Sequence, residues 1–143
     1  VLKTPHFRKY AYSDAPSLEQ NARVSASAAS DGIVLLKNED HILPLKKEGM
    51  VLIGDMALNM RYQGSGSSHI NPTKLTGLKD VMPEVPFAAC CNAGGEITEE
   101  GLAEAVRLAE NAKTAVICAG LPDIYESEGF DREDLQMHLR WKF

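Results

Sequence analysis

Four short apolar runs constrain the fold of this chain more than any other feature: Ile33-Val34-Leu35-Leu36, Met50-Val51-Leu52-Ile53, Val85–Cys91 and Thr114–Ala119. Each is of strand length. A run that is apolar throughout, rather than alternating, is what a strand buried on both faces requires. Turn residues close them: Asn38-Glu39-Asp40, Gly54-Asp55 and Gly120-Leu121-Pro122. Pro86 places the third run near a sheet edge or delays its start, because proline cannot donate to the ladder. Helical signals fall between the runs. Ser17 can cap a helix to about Ser30, with Ala22, Ala26 and Ala29 on one side, and Asp31-Gly32 breaks it. A shorter helix is predicted over Lys74–Val81. Thr98 caps a third to about Lys113, with Leu102, Ala105, Val106 and Ala109 at spacings of three and four. Glu99, Glu100 and Glu104 load its first turns, as the helix dipole favours. Strands alternating with helices predict an α/β fold, a layered sandwich with a mostly parallel sheet flanked by helices. Residues Val1–Pro16 show no period and read as a linker or extended arm.

Composition narrows the function. Hydrophobic residues make up 44% and charged residues 24% of 143 residues, enough to bury a core without a disulfide or metal. The net charge is -5 with no basic stripe, which argues against nucleic acid and anionic membrane surfaces. No apolar run approaches the ~20 residues that span a bilayer. No signal peptide is visible at the start; a cytoplasmic setting is favoured, with an upstream targeting segment left open. Cys90, Cys91 and Cys118 show neither CxxC spacing nor an even count, and read as small buried hydrophobes. No metal site and no cofactor is expected.

In parallel sheets, sites lie beyond the carboxyl ends of the strands. Two loops begin there. One is Gly64-Ser65-Gly66-Ser67-Ser68-His69. It lacks the lysine and the glycine spacing of the phosphate-binding loops, so nucleotide binding is excluded. Its hydroxyls and amides suit the hydroxyls of a sugar. The other is Tyr125-Glu126-Ser127-Glu128-Gly129-Phe130-Asp131-Arg132. Arg132 can pair with Asp131 and fix the loop. A loop carboxylate beside an aromatic ring and another carboxylate can have its pKa raised, as a general acid needs. Periodicity does not choose between Glu126 and Glu128. His69 has no second ligand at metal spacing and reads as a hydrogen-bonding loop residue.

Three segments together resemble the α/β sandwich domain of family 3 glycoside hydrolases, whose best-known members are β-glucosidases and xylosidases. The first is Ala28-Ala29 through Ile33–Asn38, then Leu43-Pro44-Leu45. The second is Ile53-Gly54, then Arg61-Tyr62-Gln63-Gly64-Ser65-Gly66-Ser67-Ser68-His69-Ile70-Asn71-Pro72. The third is Glu128-Gly129-Phe130-Asp131-Arg132.

The resemblance implies residues 1–16 as the arm from a (β/α)8 barrel and 17–143 as part of the sandwich, incomplete at its C-terminus. Leu135–Phe143 departs from the family's usual continuation. It also implies a retaining mechanism on carbohydrate, with an Asp nucleophile on the barrel of the full-length chain. The Glu-Gly-x-Asp-Arg pattern puts the acid/base role on Glu128, with Ser65, Ser67, Ser68, Asp131 and Arg132 lining the substrate site. The competing reading is a carbohydrate-binding module without catalysis. Aromatics at 6% disfavour it, because such modules stack sugars on aromatic platforms.

Overall fold

The computed structural model describes residues 17–91, 96–121, 123 and 127–129. The chain divides into two units, Val1–Pro44 and Leu45–Phe143.

In the first unit, α1 spans Leu18–Gly32 and buries no residue. It runs two residues past Ser30, and Ser17 stands at its N-cap without a side-chain hydrogen bond. The expected strand at Ile33–Leu36 is not formed. Those four side chains are 77%, 74%, 62% and 92% exposed, so the apolar run has no strand beside it among the described residues. A strand exists only where a second backbone satisfies its N–H and C=O groups. The turn that follows is closed by Asn38. Its Nδ2 donates to the Leu43 carbonyl and its Oδ1 accepts from the Leu43 amide, both at 3.0 Å.

The second unit is built on a three-stranded parallel sheet of order β2-β1-β3. The strands are β1 Met50–Ile53, β2 Phe87–Ala88 and β3 Thr114–Ile117. Leu52 faces Phe87 on one side and Val116 on the other. The uniformly apolar sequence of β1 is explained by its central place, where all four residues are at most 6% exposed. Alternate side chains enter two cores. Val51 and Ile53 pack with Ala88, Cys90 and Ala105; Met50 and Leu52 pack with Ala57 and Val85. Helix α2, Leu78–Val81, is shorter than predicted and closes the second core through Leu78.

Helix α3, Glu99–Glu110, closes the first core. Thr98 caps it as predicted, its Oγ1 accepting from the Gly101 amide at 3.0 Å. It ends before Lys113, at Asn111, whose Nδ2 donates to the Arg107 carbonyl. Its buried face is rotated from the predicted one. Ala105, Leu108 and Ala109 meet the sheet, whereas Leu102 and Val106 are 42% and 49% exposed. The third run yields only two residues of strand. It begins after Pro86, whose carbonyl accepts from the Leu52 amide at 2.9 Å, and β2 is a sheet edge. β3 also lies at an edge and stops at Ile117, with alternate residues exposed rather than buried on both faces. The result is the expected layered α/β arrangement of parallel strands with helices. No helix among the described residues is long and apolar enough to cross a membrane.

Candidate active site

The parallel strands bring their carboxyl ends to one edge, and the connections leaving β1 and β3 meet there. Gly54 makes the first junction possible. At φ 107° it occupies a backbone region that glycine favours, and a Cβ on it would overlap the Cys118 carbonyl. The Cys118 amide in turn donates to the Ile53 carbonyl at 2.7 Å.

Further along the first connection, Arg61 reaches across to the second. Its Nε lies 3.2 Å from Asp123 Oδ1, and its guanidinium also reaches the Leu121 carbonyl at 3.5 Å. Gln63 then staples the base of the Gly-Ser loop. Its Nε2 donates to the Ile70 carbonyl at 3.0 Å and to the Tyr62 hydroxyl at 2.9 Å, and its Oε1 accepts from the Ile70 amide at 2.9 Å. His69 Nδ1 stands 3.4 Å from the same Gln63 amide, in keeping with a hydrogen-bonding loop histidine.

Held at both ends, Gly66–Ser68 form a short 3-10 turn, with Gly66 at φ 80°. The Ser67 amide donates to Glu128 Oε2. Glu128 itself is exposed. The hydrogen bond from the Ser67 amide, reinforced by the Ser67 side chain, holds its carboxyl below the usual glutamate range. That is opposite in direction to the raised pKa expected from the loop's aromatic and acidic neighbours. The amide stabilises the charged form, and an exposed carboxylate pays little for desolvation.

The three serines take different places. Ser67 faces Glu128 through its backbone and hydroxyl. Ser68 Oγ turns back to the Ser65 carbonyl at 3.3 Å. Ser65 Oγ is buried with no hydrogen-bond partner. A cleft of about 550 Å³ opens on the same connection, lined by Leu58, Met60, Tyr62 and Leu75 with Asn59 and Lys74, and none of the three serines lines it. Glu126, Asp131 and Arg132 lie outside the described residues. Sequence spacing alone assigns no role to Arg61, Gln63, Gly66 or Asp123. The signal was present for Arg61 and Gln63, which precede the Gly-Ser loop directly.

All three cysteines are free. Cys90 packs in one core and Cys118 against the other. Burial pushes each thiol up, and for Cys91 the nearby Asp55 charge adds to it, so none is poised as a thiolate nucleophile. Among the described residues no group of three or more His, Cys, Asp or Glu could hold a metal ion.

Comparison with known proteins fits this arrangement. The model of the glycosyl hydrolase family 3 C-terminal domain matches residues 33–142. The chain is 44% identical over 132 residues to thermostable beta-glucosidase B of Acetivibrio thermocellus, covering 80% of this chain and 16% of that protein. It is 39% identical over 135 residues to an exo-α-(1→6)-L-arabinopyranosidase of Bifidobacterium longum, covering 84% of this chain and 18% of the other. Among solved structures it is similar to the family 3 β-glucosidase of Bifidobacterium adolescentis. There the TM-score is 0.74 at 39% identity, over 87% of this chain and 19% of that one. The chain thus spans less than a fifth of the length of each of these proteins. With the matched model covering most of its length and the Gly-Ser loop meeting Glu128 at the carboxyl edge of a parallel sheet, the chain belongs to glycoside hydrolase family 3, as part of its C-terminal domain.

Proposed function

We propose that this chain supplies the acid/base carboxylate, Glu128, of a retaining β-glycosidase of β-glucosidase type. Residues 1–16 are the arm leading from a (β/α)8 barrel, and 17–143 are part of the sandwich. The nucleophilic Asp belongs to the barrel of the full-length protein. The observation that supports this most is the seating of Glu128: an exposed carboxylate, held by the Ser67 amide, at the strand edge where parallel sheets place their ligands. The names of the relatives agree with a sugar substrate.

The chemistry asks Glu128 for two protonation states. In the first half-reaction it gives a proton to the departing glycosidic oxygen while the nucleophile attacks the anomeric carbon. In the second, its carboxylate takes a proton from water as that water displaces the nucleophile. A retaining pair of carboxyls stands about 5–5.5 Å apart. An ionised nucleophile at that distance raises the pKa of Glu128 and favours its protonated form. Once the nucleophile is esterified by the sugar its charge is gone, and the Ser67 hydrogen bond then favours the ionised base. The amide thus assists the second half-reaction, and the partner carboxylate the first. Of the three serines, Ser67 faces Glu128 and meets substrate beside it, while Ser65, its hydroxyl buried, and Ser68, its hydroxyl turned to the Ser65 carbonyl, serve the substrate site by shaping the loop. Asp131 and Arg132, which follow Glu128 in the same motif, are the further substrate-binding residues of this reading.

The test is leaving-group dependence in the full-length protein. Glu128→Ala should slow glycosides with poor leaving groups by ~10²-fold or more and activated aryl glycosides far less, since a good leaving group departs without a proton. Equal slowing of both classes would count against general-acid help from Glu128.

A further inference from the structure

We propose that Gly66 is a positioning residue for Glu128: its missing side chain leaves the space in which the carboxylate seats against the Ser67 amide. The catalytic consequence rests on the acid/base reading of Glu128 given above; the packing argument stands without it.

The geometry at Gly66 is unlike that of the other loop glycines. A Cβ at Gly66 would overlap both Cβ and Oε2 of Glu128 and lie 3.2 Å from its Cδ. A Cβ at Gly64 would meet only the Ser68 hydroxyl, the end of a short side chain, and one at Gly129 would meet nothing within 4 Å. The distinction is mechanical. An overlap with the end of a side chain is relieved by rotation. Glu128 Cβ is fixed to the backbone, so relief there requires Glu128 to back away or the turn to shift. The Gly66 Cα that would carry the new methyl is bonded directly to the peptide whose Ser67 N–H donates to Oε2. Any retreat therefore lengthens that bond, and hydrogen bonds weaken quickly with lost geometry. Gly66 also has φ 80°, a region costly for ordinary side chains but tolerated by asparagine. Backbone strain and side-chain contact can thus be separated by choice of substituent.

The experiment compares Gly66→Ala, Gly66→Asn and Glu128→Gln in the full-length protein, together with a ¹³C NMR titration of the Glu128 carboxyl. Both Gly66 variants should lower kcat on poor-leaving-group glycosides by ~10- to 100-fold, as expected when a catalytic group is displaced by about an ångström. KM should change little, and activated substrates should be affected less. The Glu128 titration midpoint should rise in both variants, because the amide no longer favours the charged form. Asn behaving like Gly in both readouts would overturn the contact argument and leave strain as the reason for glycine. If the midpoint rises while Glu128→Gln turns over poor-leaving-group substrates normally, the positioning holds and the acid/base reading fails. If Glu128→Gln is crippled while both Gly66 variants titrate and react like the parent, the positioning proposal alone fails. Should neither Gly66 variant fold, the parent decides: the Ser67 amide proton shift should follow the Glu128 titration, and an amide that does not respond to it contradicts the seating against Ser67.

Discussion

Arg61 and Asp123 form an ion pair, Nε to Oδ1 at 3.2 Å, that joins the connection leaving β1 to the one leaving β3. The two partners are unequal. The Arg61 side chain is 24% exposed and the Asp123 side chain 63% exposed. Exposed pairs are worth about 0–1 kcal/mol, so Asp123→Asn should cost less than ~1 kcal/mol in urea denaturation. Arg61→Ala should cost more, because Arg61 also donates to the Leu121 carbonyl and packs its stem. A larger loss from Asp123→Asn than from Arg61→Ala would contradict this ranking.

Two leucines in similar sequence surroundings should respond differently to truncation. Leu52 is fully buried at the centre of the sheet, and Leu36 is 92% exposed. Leu52→Ala should cost about 2–5 kcal/mol, the range for emptying a packed core site. Leu36→Ala should stay within about 0.5 kcal/mol in the same chain. Denaturation curves giving equal losses would show that the Ile33–Leu36 run is covered in solution.

Acid should weaken the fold through three glutamates whose pKa values are lowered. For Glu84 the causes are its own backbone N–H and then Lys47, for Glu104 the Arg107 guanidinium, and for Glu128 the Ser67 amide. A folded-state pKa below the unfolded one stabilises the fold when the group is ionised. The contribution is therefore fully present above the ordinary value of 4.5 and is lost as pH falls through the lowered values. Arg107→Gln should flatten that loss, measured as the midpoint of urea denaturation between pH 5 and about pH 2. A steeper acid dependence in the variant would reverse the sign assigned to the Glu104–Arg107 pair.

The sheet was largely legible because its evidence is local to each strand. Met50–Ile53 and Thr114–Ile117 announce themselves by apolar runs ending in glycine-bearing turns, and their partners are all present in the second unit. Ile33–Leu36 carries the same signal, but a strand also needs a neighbouring backbone, and sequence pattern does not report whether one is there. The buried face of α3 is ambiguous in the sequence for a related reason. Leu102 and Val106 fit the helical period as well as Leu108 does, and only the position of the sheet decides which stripe is covered. At the site, the meeting of the two loops follows from parallel strands sharing an edge. The direction of the Glu128 pKa shift did not follow. It depends on one amide 61 residues away in sequence, and on the unoccupied space at Gly66 that lets the carboxylate reach it.

The central claim is that Glu128 is the acid/base residue of a retaining enzyme. It is tested most directly by the product that the Glu128→Ala variant of the full-length protein forms from an activated aryl β-glucoside in the presence of azide. A small anion can attack the glycosyl-enzyme without base assistance, so azide should restore turnover. NMR should show a glycosyl azide of retained, β configuration, and Glu126→Ala should give ordinary hydrolysis with no azide product. Rescue and glycosyl azide from Glu126→Ala, with Glu128→Ala near parental kinetics, would move the role by two residues. An α-glycosyl azide from Glu128→Ala would contradict the retaining mechanism itself.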